Sequence, residues 1–87
     1  MIPHYISLET IRNKASVQAL IKNYKNTYGQ YNTTVEMIPS GNKTYPYRII
    51  LKGFESEEAA RAFRKNHTFR SDCLIYDAKT DKAVSGQ

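Results

Sequence analysis

The side chains that could do chemistry are few and far apart. His4 and His67 are separated by most of the chain, and Cys73 is the single cysteine, with no CxxC partner. Metal sites need three or four ligands at suitable spacing, so this set predicts neither a metal centre nor an internal disulfide. Leu74 and Ile75 follow Cys73 and make it a buried, inert strand thiol. Glu57 and Glu58 are adjacent and therefore point to different parts of a helix, which is not an acid/base dyad. Ser40-Gly41-Asn42-Lys43 has too few glycines for a phosphate loop, and Asp77 to Asp81 lacks the ordered ligands of a calcium loop. These residues predict a noncatalytic protein without a cofactor. What remains is binding chemistry. Tyr5, Ser7, Arg48, Ile50, Leu74 and Tyr76 combine aromatic rings, aliphatic side chains and one guanidinium. Such a set can stack on an apolar ring face and give charge-assisted hydrogen bonds to a carboxylate or phosphate.

Those six residues share a surface only if the backbone alternates beneath them. In Tyr47-Arg48-Ile49-Ile50-Leu51-Lys52, Ile49 and Leu51 alternate with Arg48, Ile50 and Lys52, the period of a strand with one face on a core. Gly53 predicts a sharp turn anchored by Phe54. Ser56 then caps a helix whose first turn carries Glu57 and Glu58, charges that favour a helix N-terminus. Residues Tyr5 to Glu9 alternate likewise, with Ile6 and Leu8 inward and Ile11 closing the turn after them. Asn13 caps a helix in which Val17, Leu20, Ile21, Tyr24 and Tyr28 recur at three and four residue spacing, and Gly29 ends it. Tyr31 to Ile38 reads as a strand, broken by Pro39-Ser40-Gly41-Asn42. Ala59, Ala60 and Phe63 form the packing stripe of the second helix, which stops near Asn66-His67. Asp72 to Tyr76 is a fourth strand, and a flexible polar tail runs from about Lys79 to Gln87.

The order strand, helix, strand, strand, helix, strand predicts a single α+β domain over residues 1–87. The expected architecture is a ferredoxin-like or ribonucleoprotein-like βαββαβ sandwich, a four-stranded antiparallel sheet with both helices on one face. If Ile6, Leu8, Ile49, Leu51 and Cys73 face the helices, then Tyr5, Ser7, Arg48, Ile50, Leu74 and Tyr76 lie on the open face.

With 87 residues there is no room for a second folded unit, and 13 Lys and Arg against 8 Asp and Glu give a net charge of +5 that favours anionic partners. No apolar stretch approaches the roughly 20 residues that span a bilayer, so the segment is not expected to insert in a membrane. Met1-Ile2-Pro3-His4 does not read as a signal peptide.

Tyr5-Ile6-Ser7-Leu8-Glu9-Thr10-Ile11 and the run from Tyr47 through Gly53-Phe54 to Glu57-Glu58-Ala59-Ala60 resemble a diverged SPOR domain, the sporulation-related repeat found in bacterial cell-division and cell-wall proteins. The similarity covers roughly residues 4 to 78. Ser7 stands where that family usually carries Gln, Glu9-Thr10 replaces its Gly-Ser turn, and Lys52 replaces Gly before the later turn. The resemblance implies binding of peptidoglycan glycan strands across the open sheet and a periplasmic or cell-envelope location, with Arg48 meeting a lactyl carboxylate. Two other readings use the same face and place the protein in the cytoplasm. An RRM-like sheet would stack bases of RNA or single-stranded DNA on its tyrosines. Lys52-Gly53-Phe54 begins like that family's signature, but Glu55-Ser56-Glu57-Glu58 starts a helix with three carboxylates instead. A small protein-interaction factor, of the host-takeover kind, would offer the sheet to a protein partner.

Overall fold

The structure is a computed structural model and describes residues 4–87. Met1-Ile2-Pro3, part of the signal-peptide reading, lies outside them. The chain is α+β, with β1 at His4–Ile11, α1 at Val17–Tyr28, β2 at Thr34–Pro39, β3 at Tyr47–Phe54, α2 at Glu57–Asn66, β4 at Ile75–Asp77 and β5 at Lys82–Ala83. The five strands form one antiparallel sheet in the order β2-β3-β1-β4-β5. Ile6, Leu8, Val35, Ile49, Leu51 and Ile75 from the sheet join Val17 and Tyr28 of α1 and Ala60 of α2 in one buried cluster, which places both helices over the same face.

Local sequence accounts for much of this. Ser56 Oγ accepts from the Ala59 amide at 3.0 Å and caps α2, with Glu57 and Glu58 in the first turn and Arg64 and Lys65 in the last, charges that match the helix dipole at both ends. Asn13 Oδ1 accepts from the Ala15 amide at 2.9 Å and caps a short 3-10 turn, Lys14–Ser16, which runs directly into α1. Gly29 follows α1 as expected but keeps a right-handed conformation. The chain instead reverses at Asn32, whose φ of 65° lies in the left-handed region that asparagine tolerates.

Two bulges shape the central strand pair. Tyr5 lies opposite Lys52 and His4 opposite Phe54, so Gly53 is an extra residue in β3. Its φ is 122°, and a Cβ there would meet the Asn32 carbonyl oxygen at 3.2 Å, which explains a glycine inside a strand. The expected turn at Gly53-Phe54 is therefore a bulge: β3 continues through it, and Phe54 is buried in the core. In β1, Ser7 lies opposite Ile50 and Glu9 opposite Ile49, leaving Leu8 as the extra residue. The carbonyl oxygen of Leu8 accepts hydrogen bonds from Arg70 Nη2 and Cys73 Sγ. Glu9 then faces the helices, where it accepts a 2.6 Å hydrogen bond from the Tyr24 hydroxyl.

Other expectations need correction. The strand expected over Asp72 to Tyr76 forms only at Ile75–Asp77, because Arg70 to Leu74 make a turn with Cys73 N bonded to Arg70 O and Leu74 N to Asp72 O. Cys73 is buried in the core from that turn and not from a strand. Tyr31 belongs to the 3-10 turn Gly29–Tyr31, and β2 begins at Thr34. Ala59, expected in the packing stripe of α2, is exposed, while Phe63 packs partly buried against the core. The sheet has a fifth strand because the segment expected as a polar tail pairs with β4 and is tied to α2. Arg61 donates to the carbonyls of Ser85 and Gly86 at 2.7 and 3.2 Å.

Candidate ligand-binding face

The sheet face away from the helices carries alternate residues of four strands. Tyr5, Ser7 and Thr10 come from β1, Arg48, Ile50 and Lys52 from β3, Glu36 and Ile38 from β2, and Tyr76 from β4. The register brings them together: Tyr5 is opposite Tyr76 and Lys52, Ser7 and Glu36 flank Ile50, and Thr10 and Ile38 flank Arg48. Five of the six residues expected on this face are there.

Their exposure differs from expectation. Tyr5, Ser7 and Ile50 are only 4%, 5% and 3% exposed. The face is covered by its own contacts. The rings of Tyr5 and Tyr76 stack at 5.3 Å and 4°, and the Arg48 guanidinium sits 4.5 Å from the Tyr76 ring centre, a cation–π contact. Arg48 Nη1 also donates to Ser7 Oγ at 2.7 Å. The hydroxyl of Tyr5 donates to Asp81 Oδ1 at 2.6 Å, which draws the β4–β5 turn across the sheet. Burial, followed by that hydrogen bond and the Asp81 charge, raises the Tyr5 pKa well above its ordinary value. Leu74 is misplaced by the expectation. It precedes β4 and lines a different groove, beside Arg64, His67 and Arg70, while its carbonyl accepts from the Ser7 amide at 2.9 Å.

Beside the Tyr5 ring, the face holds a cavity of about 260 Å³. Ile38 and Ile50 supply apolar wall, Glu36 and Lys52 form a 2.9 Å ion pair along it, and Asp81 and Ala78 close the side formed by the β4–β5 turn. His4 also lines the cavity, and its Nδ1 is buried with no hydrogen-bond partner among the described residues. The volume lies just below the usual range for a drug-sized ligand and suits a group about the size of one ring. Sequence reasoning missed His4, Glu36, Ile38, Lys52 and Asp81 as site residues. Glu36 and Ile38 had a readable signal, since they alternate with Val35 and Met37 on a strand beside β3. Asp81 had none, because its place depends on β5.

The remaining reactive groups are dispersed. Burial raises the Cys73 thiol pKa against the opposing pull of Arg70, so the thiol stays protonated in its core position. His67 lies between the rings of Phe63 and Tyr31, at 4.1 and 4.4 Å between ring centres, remote in role from His4. Among the described residues no three His, Cys, Asp or Glu side chains come together in a way that could hold a metal ion. Comparison with protein-family models, curated proteins and solved structures finds no match to this chain.

Proposed function

We propose that this chain is a noncatalytic binding domain that takes a peptidoglycan glycan strand across its open sheet face. The observation that carries the reading is the Arg48 site. Its guanidinium is held in place by Ser7 and Tyr76, no carboxylate pairs with it among the described residues, and a ring-sized cavity lies on the same face. A sugar strand offers hydroxyls of both hydrogen-bonding senses and apolar C–H faces. Glu36 and Asp81 can accept, Lys52 can donate, and Ile38 can pack on a ring, while Arg48 can meet a lactyl carboxylate. The strand order β2-β3-β1-β4, with a helix after β1 and another after β3, supports the ferredoxin-like reading that the SPOR resemblance implies, and β5 adds an edge beyond it. A cell-envelope location follows from this reading.

The same face suits a nucleic-acid chain less well. Tyr5 spends its ring on Tyr76, and Glu36 and Asp81 would repel phosphates. Co-sedimentation with purified sacculi tests the proposal. The native chain should be retained, and Arg48→Ala and Lys52→Ala should each lower retention several-fold while the circular dichroism spectrum is unchanged. Absence of retention for the native chain would end the glycan reading. Retention that neither substitution affects would move the site off this face.

A further inference from the structure

A second groove, of about 340 Å³, lies on another part of the molecule, between the end of α2 and the turn before β4. Arg64, His67, Phe69, Arg70, Ser71, Leu74 and Gln87 line it, and none of these side chains is a carboxylate. Arg64 gives one nitrogen, Nη1, to Gln87 and the Cys73 carbonyl, while Arg70 gives Nη2 to Leu8 and Nε to Asp72. Each guanidinium keeps N–H groups beyond these bonds. Three negative groups oppose an anion here, one of them Glu9, which lies within electrostatic reach of Arg70. The C-terminus of α2 contributes about half a negative charge, and the exposed Asp72 pairs with Arg70 at 3.3 Å. Arg64 and Arg70 line the groove itself, whereas Glu9 and Asp72 do not. Aromatic surface continues from the groove: His67 packs against Tyr31, which is 41% exposed and meets Phe63 in a T-shaped contact.

We infer that this groove and the Tyr31 ring bind single-stranded nucleic acid, with phosphates at Arg64 and Arg70 and a base stacked on Tyr31. Charge and aromatic surface together favour this occupant, because a guanidinium pair meets phosphates and an exposed ring accepts any base. The inference does not rest on the glycan reading, since the two sites share no residue.

Fluorescence anisotropy with a labelled 12-nucleotide single strand, titrated at 50 and 200 mM salt, tests it. Two phosphate contacts predict a salt slope of about −1.4, or roughly seven-fold weaker binding at the higher salt. Arg64→Gln should reduce that slope by about 0.7. Because Arg64 also holds the C-terminal segment, Ser71→Glu is the second variant. Ser71 is exposed, and its substitution adds repulsion without removing a described hydrogen bond, so it should weaken binding while leaving the melting temperature unchanged. Tyr31→Ala should weaken binding to the normal strand and not to an abasic one. Salt-insensitive binding, full binding by Ser71→Glu, or equal affinity for normal and abasic strands would overturn the inference. Lys52→Ala on the sheet face serves as the control and should bind nucleic acid like the native chain.

Discussion

Arg48 and Tyr5 show how a residue's role depends on what its neighbours leave free. Arg48 is fixed by a hydroxyl and a ring, contacts that orient the guanidinium without neutralising it. Tyr5 is the reverse case, since both its ring and its hydroxyl are engaged, and it organises the face instead of presenting itself to a ligand. This gives a prediction about alkaline pH. The Tyr5 pKa is raised from an ordinary value of 10.0, first by burial and then by Asp81, and burial and Glu9 act alike on Tyr24. Folding therefore favours the protonated phenols. Their contribution is complete below pH 10 and declines as pH rises towards the folded-state values. Urea unfolding at pH 9 and 11 should show a fall in stability that is smaller in Tyr5→Phe and Tyr24→Phe. An identical fall in both variants would mean that these hydroxyls do not couple folding to pH.

At the scale of the element, Gly53 is the position where one side chain would be least tolerated. Its φ of 122° and the 3.2 Å approach of the Asn32 oxygen act together, since a Cβ would strain the backbone and press on the turn before β2. Gly53→Ala should cost about 1 to 3 kcal/mol in chemical denaturation. A loss below about 0.5 kcal/mol would show that the bulge relaxes freely. The same glycine marks the limit of what sequence could tell. Ser56, Glu57 and Glu58 announced the start of α2 because a cap and its charges act within one turn, and Ile6, Leu8, Ile49 and Leu51 announced the core face by alternation. A bulge is different, because it is defined by the pairing of two strands distant in sequence. The Leu8 bulge could not be read from the alternation of β1, and without it Glu9 would be expected on the open face. Leu74 was misassigned for a related reason, since an apolar run, Cys73-Leu74-Ile75, looks like a strand whether or not its first two residues form a turn. β5 was hidden more completely: Lys82 and Ala83 are exposed and bury nothing.

At the scale of the whole molecule, the last segment is held by polar contacts that reach from α2 to the sheet edge and, through Asp81, to the open face. The Gln87 side chain behaves like a short strand. Its Oε1 accepts from the Ile75 amide at 2.5 Å, and its Nε2 donates to the carbonyls of Ile75 and Val84 at 2.9 and 2.8 Å. Arg61 holds the carbonyls of Ser85 and Gly86 beside it, and Arg64 reaches Gln87 itself. Pairing in β4–β5 covers Tyr76 with Ala83 and Asp77 with Lys82, Val84 N donates to the Ile75 carbonyl, and Val84 packs partly on the core; the side chains of Gln87, Arg61 and Arg64 add to these in keeping the hairpin in place. Each hydrogen bond is worth about 0.5 to 1.5 kcal/mol net, so Gln87→Ala should release the hairpin locally without unfolding a core built on Ile6, Leu51 and Ile75. Hydrogen exchange should then quicken at the amides of Ile75 and Val84 and remain slow at those of Ile6 and Leu51. Because Asp81 forms one wall of the sheet cavity, retention on sacculi should fall in the same variant, although the substitution lies outside the cavity lining. Unchanged exchange at Ile75 would show that the hairpin holds without Gln87. Faster exchange with undiminished retention would show that the glycan is bound without the Asp81 wall.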